Sequence, residues 1–345
     1  MPAGGGVGQS RLCTKETGGF KREKMTTLIK LLYVAAVRVL PWNTVNQIGT
    51  FGQSLIGLAK YGDFYFPRGM QIEITTHCNR RCFYCPQSVD PASVREIKMD
   101  VYMKWIERLK ELHWKGSILF NHFNEPLLCK NLEKYVAIAK QELPHSLISI
   151  VSNGDLLTEE RVLSLVSAGV FKFTITHHPP FKESWTKRMN ELKKKFPSRI
   201  HAGTLDKQLL SNRGGLVSEN IKQNRRVSDA ESLSRNGCFY TSGPLNTSID
   251  GDYIWCSADY NKENLIGNVF SASILDSWNS EPWKSLRQKI RNARPELDVC
   301  KGCFGQESRY ATSHLYNKGG KQGTERGMSE QTEPTEPRHE LSEVK

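Results

Sequence analysis

Met70-Gln71-Ile72-Glu73-Ile74-Thr75-Thr76-His77-Cys78-Asn79-Arg80-Arg81-Cys82-Phe83-Tyr84-Cys85-Pro86 is the stretch from which the rest of the chain can be read. Its first part, through Thr75, is strand-like, so Cys78, Cys82 and Cys85 share one loop at the C-terminal end of a strand. Thiolates converging there can hold a metal cluster. The C-x-x-x-C-x-x-C spacing supplies three protein ligands where a cubane [4Fe-4S] cluster normally takes four. One iron is then open to a small molecule, which is a catalytic arrangement. Structural zinc is the competing reading. Zinc cysteines usually come as paired C-x-x-C knuckles, and a three-residue gap followed by a two-residue gap after a strand fits that poorly.

Outward from this loop, strand runs recur at Gln71–Thr75, Ser117–Phe120, Leu147–Val151, Phe171–Thr176 and Arg199–Ala202. Helical patterns fill the gaps at Tyr102–Trp114, Asn131–Glu142, Glu159–Ala168 and Trp185–Phe196. Such alternation predicts right-handed βαβ units and a parallel sheet. The expected fold class is α/β: a partial (β/α)6 TIM-like barrel, with chemistry at the C-terminal ends of its strands.

The chain has 345 residues and 38% hydrophobic content, enough for a core and long enough for a main domain plus an appendage. Nine cysteines without a secretory signal peptide at residue 1 read as metal ligands in a reducing compartment, so the expected location is cytoplasmic. The net charge of +12 gathers partly in Lys182, Lys187, Arg188, Lys193, Lys194, Lys195 and Arg199, the solvated face of a helix. No aromatic-interleaved basic motif points to nucleic acid. Residues 1–24 and those from about Lys318 onward lack apolar periodicity and read as poorly structured. Met25–Leu40 is an apolar helix-like stretch, too short to span a bilayer comfortably, for which a packing helix is the plain reading and an interfacial membrane helix the sharper alternative.

A second cysteine set lies further on: Cys238, Cys256, Cys300 and Cys303. The first two flank Thr247–Trp255, two short strand runs joined by an Asp-Gly turn, which predicts a β-hairpin. Cys300-Lys301-Gly302-Cys303 forms a knuckle after the helical stretch Trp283–Arg294. Four thiolates can close a site completely, and zinc is a competitor here too.

The first cysteine motif, with an aromatic residue, Tyr84, before its last cysteine, resembles the radical S-adenosylmethionine (radical SAM) superfamily. In that family the open iron chelates the amino and carboxylate groups of SAM, and the reduced cluster cleaves SAM to methionine and a 5'-deoxyadenosyl radical. His122-Phe123-Asn124-Glu125-Pro126 resembles the family's GGEP segment, which implies that Glu125 and the backbone at Asn124 meet SAM. Asn124 and Phe123 depart from the pattern, where glycine is usual at Asn124. Val151-Ser152-Asn153-Gly154 resembles its TNG segment, which implies that Ser152 or Asn153 reaches the SAM ribose or carboxylate. Thr176-His177-His178-Pro179 places further polar groups at the mouth. Adjacent histidines on an extended chain point opposite ways, which favours hydrogen bonding over metal binding there.

The second set, with its hairpin glycine and intervening helix, resembles the SPASM/Twitch extension of radical SAM enzymes. With four cysteines and none in Phe304–Tyr310, it looks like Twitch, which implies one auxiliary [4Fe-4S] cluster. The layout is similar to 2-deoxy-scyllo-inosamine dehydrogenase-like members, which oxidise a cyclitol alcohol to a ketone. Arg213, in an NRGG-like element, Asp259, in a C-x-x-D element after Cys256, and Tyr240 are the candidate substrate or acid/base residues, with Asp206 weaker. Cys13 and Cys129 belong to neither set.

The expected organisation is therefore a disordered segment 1–24, a helical segment 25–67, a radical SAM barrel 68–215, a linker 216–237, an auxiliary-cluster domain 238–312 and a tail 313–345. The expected function is reductive SAM cleavage, with the radical abstracting hydrogen from an alcohol of a sugar or aminocyclitol-like metabolite and the auxiliary cluster taking an electron. Cofactors are the two clusters and SAM. Partners are a small-molecule or peptide substrate and an external electron donor such as flavodoxin or ferredoxin, with no nucleic acid or membrane contact expected. A peptide or protein maturase of the SPASM type is the alternative within the family. A Cys-rich zinc protein that binds nucleic acid is the alternative outside it.

Overall fold

The computed structural model describes residues 52, 54–64, 66–205, 212–217, 244–292 and 297–301. The alternation expected from the hydrophobic pattern is present. In chain order it runs β1 (Gly69–Ile72), α1 (Met99–Glu111), β2 (Ser117–Leu119), α2 (Leu132–Glu142), β3 (Leu147–Ser152), α3 (Glu159–Ala168), β4 (Lys172–His177), α4 (Glu183–Lys195) and β5 (Ile200–Thr204). These strands are all parallel and lie in the order β5-β4-β3-β2-β1. β1 begins and ends earlier than the pattern suggests. Beyond Ile72 the chain keeps a bond from Glu73 N to the Thr247 carbonyl at 2.9 Å and a bridge between Thr75 and Glu96, then turns into the cysteine loop.

The sheet continues past β1. β6 (Leu245–Thr247) pairs with β1 in parallel on the side opposite β2, setting Gln71 beside Asn246. β7 (Asp252–Ile254) returns antiparallel to β6, and β8 (Leu265–Asn268) pairs antiparallel to β7. The expected hairpin is thus β6–β7, and it extends the barrel sheet into one of eight strands among the described residues. The N–H of Gly251 donates to the Ser248 carbonyl at 3.0 Å in its turn.

Strand alternation gives the sheet two unlike faces. Ile118, Phe120, Ile148, Ile150, Phe173 and Ile175 are buried under the helices with Trp105, Leu109, Val136 and Leu165. The intervening Leu119, Ser149, Val151, Thr174 and Thr176 keep intermediate exposure on the other face. Apolar burial on the outer face, at about 25 cal/mol per Å² of apolar surface, holds the sheet together and leaves the inner face for a ligand.

Among the described residues, the helices after β8 are α5 (Ile274–Asn279), α6 (Glu281–Asn292) and α7 (Asp298–Lys301). Ser273 caps α5 by accepting from the Asp276 N–H at 3.0 Å. A helix over residues 54–61 leads into a chain that reaches this end of the molecule. Asp63 accepts from Trp278 Nε1 at 2.9 Å and pairs with the buried Arg287 at 3.2 Å, while the Arg287 guanidinium lies 4.1 Å from the Trp278 ring centre. α1 ties the two ends together: Trp105 Nε1 donates to Thr247 Oγ1 and Arg108 Nε to the Val269 carbonyl, at 3.1 and 2.9 Å. Among the described residues no helix is long and apolar enough to cross a membrane. The expected helix Met25–Leu40, most of the linker 216–237 and the tail lie outside the described residues.

Candidate active site

The loop after β1 carries Cys78, Cys82 and Cys85, all partly exposed and all free thiols. Its shape is set by its own backbone and by neighbouring strand ends. Cys85 N donates to the Cys82 carbonyl at 2.8 Å, and Pro86–Ser88 forms a single 3-10 turn with proline at its start. The buried Gln87 amide donates to the Thr76 and Phe123 carbonyls at 3.0 and 2.9 Å, stitching the loop to the segment after β2. Arg80 makes a two-pronged pair with Asp155, at 2.7 and 2.6 Å, and a further bond to the His178 carbonyl at 2.8 Å. One guanidinium therefore holds the loops after β1, β3 and β4 together.

Tyr84 meets His178 through its hydroxyl and the ring Nδ1. His177 faces the other way, stacked on Trp185 with ring centres 4.0 Å apart, and its Nε2 accepts from Lys182 N at 3.0 Å. The two adjacent histidines thus take separate hydrogen-bonding roles. Burial pushes the His178 imidazole down to about 4, so it is neutral at ordinary pH.

After β2, Glu125 is buried and its carboxylate accepts from Leu127 N (3.0 Å), Ser152 Oγ (2.7 Å) and Asn153 N (2.8 Å). Burial pushes its carboxyl upward and these donors pull it back. Asn153 spans the mouth: its amide donates to Asn79 Oδ1 and its Oδ1 accepts from Asp155 N, at 2.8 and 2.9 Å. Gly154 closes the turn at φ +75°, where a Cβ would meet Ile175 Cγ2 at 2.5 Å, so only glycine fits. Thr176 is on the inner face of β4. Asn124 Oδ1 accepts from His122 N at 2.7 Å, while its buried Nδ2 has no partner in the structure. Cys78, Cys82, Cys85, Tyr84, Asn124, Glu125, Ser152, Asn153 and Thr176 therefore all lie at one end of the sheet.

The three thiols are donors of the type an iron-sulfur cluster takes and the polar groups suit a cofactor beside them, while among the described residues no three such side chains are already gathered around a metal-ion position. Burial pushes the Cys78 thiol up to about 11 and raises Cys82 and Cys85 as well, so a positively charged metal centre is what would favour their thiolates. The Asn124 amide offers an unspent donor beside the loop.

On the second side, Cys256 is buried after β7 and its Sγ accepts from Ala258 N at 3.3 Å. Cys300 lies in α7 and packs against the same core. Thiols just after the hairpin and on α7 are donors of the type an auxiliary cluster takes. Cys238, Cys303, Tyr240 and Asp206 lie outside the described residues.

Arg213 stands between the two cysteine regions. It has a left-handed backbone, φ 51°, and its guanidinium lies 5.6 Å from the Phe123 ring centre. The following Gly214 packs so closely on α7 that a Cβ would meet Val299 Cγ2 at 2.6 Å. Asp259 is buried, and its oxygens accept from Glu263 N (3.1 Å), Asn264 N (2.8 Å) and the Asn264 amide (3.2 Å). It therefore shapes a loop that holds Lys262 at φ 59°. Lys262 Nζ reaches back to the buried Glu73 at 3.3 Å, and His122 Nδ1 lies 3.8 Å from the other oxygen of Glu73. Sequence reasoning did not single out Glu73, Lys262 or the His122 side chain as site residues. The alternation of Gln71, Glu73 and Thr75 with Ile72 and Ile74 was the signal for Glu73, since it sets the carboxylate on the face away from the helices.

The family model for the radical SAM superfamily matches residues 72–202, and that for the SPASM iron-sulfur cluster-binding domain matches residues 238–304. The chain is 30% identical over 236 residues to the S-adenosyl-L-methionine-dependent 2-deoxy-scyllo-inosamine dehydrogenase of Niallia circulans, covering 68% of this chain and 91% of that protein. It is similar to the crystal structure of BtrN in complex with AdoMet and 2-DOIA, with a TM-score of 0.61, 29% identity, and coverage of 69% of this chain and 93% of that one. A second BtrN crystal structure, in an open conformation, is similar with a TM-score of 0.54 and 26% identity, over 71% of this chain and 97% of that one.

Proposed function

This chain belongs to the radical SAM superfamily and carries a SPASM-type iron-sulfur domain, and from that premise we propose that it oxidises a secondary alcohol on a hydroxylated ring, a sugar or aminocyclitol-like small molecule, to the ketone. When bound, a [4Fe-4S] cluster on Cys78, Cys82 and Cys85 with SAM supplies a hydrogen-abstracting 5'-deoxyadenosyl radical, and an auxiliary cluster supplies an electron acceptor. The placement of Arg213 carries the reading. It lies over Phe123 beside the first cysteine loop, on a turn that packs against the helix bearing Cys300. A substrate held there sits between the group that removes a hydrogen atom and the group that removes an electron. The relative at 30% identity supports the substrate class.

In this reading Glu125, Asn124, Ser152, Asn153 and Thr176 bind SAM, and Tyr84 with His178 fixes the last cysteine. Arg213 contacts substrate, Asp259 positions the loop over it, and Tyr240 is a further acid/base candidate. Cys238 and Cys303 complete the auxiliary ligand set in the domain that begins near residue 238. Cysteines held as cluster ligands call for a reducing compartment, so the reading places the protein in the cytoplasm with an external one-electron donor such as flavodoxin or ferredoxin.

The test is anaerobic turnover of the reconstituted protein with SAM, reductant and a panel of cyclitols that includes 2-deoxy-scyllo-inosamine. Ketone and 5'-deoxyadenosine should form together. SAM cleavage without ketone from any hydroxylated ring would overturn the proposal.

A further inference from the structure

Between the sheet's inner face and the loop of Lys262 lies a group of buried polar side chains whose hydrogen bonds are incomplete. Glu73 is 3% exposed, the His122 side chain 3% and Asn246 1%. Among the described residues, both ring nitrogens of His122, both amide atoms of Asn246 and Oδ1 of Asn121 have no hydrogen-bond partner. Buried polar groups are nearly always satisfied, so a concentration of exceptions at one place needs a reason.

Topology brings them to one spot. Thr247 Oγ1 accepts from Trp105 on the helix-covered side, which turns its neighbour Asn246 to the inner face. Asn246 is register partner to Gln71, two residues before Glu73 on the same face. Leu119 is the partner of Gln71 on the other side, so Asn121, two residues on, lies level with Glu73. His122 then approaches Glu73, and Lys262 covers it from the auxiliary domain.

The chemistry of this group is mixed and nearly uncharged. Lys262 balances Glu73, and burial holds the His122 imidazole neutral by pushing it down to about 3. What remains open is an alternation of acceptors, at Asn121 and Asn246, and donors, at Asn246 and one ring nitrogen of His122. A hydroxyl both donates and accepts, and adjacent hydroxyls on a ring match such an alternation. An apolar group would leave all of it unsatisfied.

We infer that His122, Asn121 and Asn246, braced by the Glu73–Lys262 pair, form the polar end of the substrate pocket and bind hydroxyl groups of the ring other than the one oxidised. This specificity role rests on the proposed alcohol-oxidising function and adds the residues that select the ring. The side chains are positioning residues, and no step passes through them.

The experiment measures equilibrium binding of scyllo-inositol and 2-deoxy-scyllo-inosamine to the reconstituted, SAM-bound, unreduced protein, alongside its melting temperature. His122→Leu and Asn246→Leu should each weaken ring binding by about tenfold or more, the loss of a satisfied buried hydrogen-bonding group. They should leave the ligand-free melting temperature unchanged or raised by a few degrees, since an apolar group relieves an unpartnered polar one. Wild-type binding that both variants retain in full would overturn this inference and leave the proposed function standing. A melting temperature lowered by several degrees with ring affinity unchanged would assign these groups to the scaffold instead. A wild-type protein that binds neither ring would overturn the assignment of a hydroxylated ring as the ligand of this pocket; the turnover panel separately decides the proposed function.

Discussion

The two cysteine regions are held in different ways. The loop of Cys78, Cys82 and Cys85 hangs on polar tethers: Arg80 to Asp155, Gln87 to two carbonyls, and Tyr84 to His178. Cys256 is instead fixed in apolar packing, after a strand of the continuous sheet and near Trp255 and Trp283, whose ring centres lie 5.8 Å apart. Hydrogen bonds to a partly exposed loop set orientation and respond to ligand and pH, whereas close-packed cores tolerate little displacement. The difference suits a division of labour in which one site accepts and releases a cofactor at each turn and the other stays closed.

Removing ligands should separate the regions most sharply. Cys78→Ala with Cys82→Ala and Cys85→Ala should abolish SAM cleavage and leave iron and sulfide for one cluster. Continued 5'-deoxyadenosine formation would break the assignment of the first loop. Cys300→Ala should let SAM cleavage continue while ketone falls to background, measured in the same anaerobic assay. Unchanged ketone would remove the second region from the reaction.

A smaller effect is expected inside the first region. Glu125→Gln weakens the charge-assisted bonds from Ser152 and Asn153, and SAM affinity should fall by roughly 10- to 100-fold, at about 1.5–3 kcal/mol for a hydrogen bond to a charged group. Titration of SAM into the unreduced protein checks it.

The smallest effect concerns the Arg80 tether. The Arg80 hydrogen bonds hold the Asp155 carboxyl below the ordinary aspartate range. Its contribution is therefore fully present above the unfolded value, near pH ~4, and is lost as pH falls through the depressed folded value. Asp155→Asn should lower the melting temperature slightly at neutral pH, and the gap from wild type should close as the solution is acidified below that range. A gap that does not change with pH would mean that the pair contributes no charge-dependent stability.

The first region was legible in the sequence because its information is local. The three cysteines, the turn residues and most of the preceding strand lie within Met70–Pro86, and each strand from β2 to β5 announces itself by its own pattern, whereas β8 was not anticipated. The β6–β7 hairpin was legible for the same reason. Its attachment to β1 was not: the pairing of Met70 with Leu245 joins residues far apart in the chain, and a three-residue strand carries no mark of its neighbour. The pocket group was hidden likewise. His122 sits within a segment read for its likeness to a SAM-binding motif, and Glu73 and Lys262 meet only after the auxiliary domain folds back. Asp259 was visible as a site candidate through its spacing from Cys256, while its bonds to the Lys262 loop appear only in three dimensions.

The central claim is that a hydrogen atom leaves the carbinol carbon of a ring alcohol at a site between the two cysteine regions. It is tested most directly with a cyclitol substrate deuterated at that carbon, in a single anaerobic incubation followed by mass spectrometry of 5'-deoxyadenosine and of the ring product. The account predicts 5'-deoxyadenosine carrying one deuterium in step with ketone formation. Unlabelled 5'-deoxyadenosine accompanying ketone, or label transfer without any ketone, would contradict it.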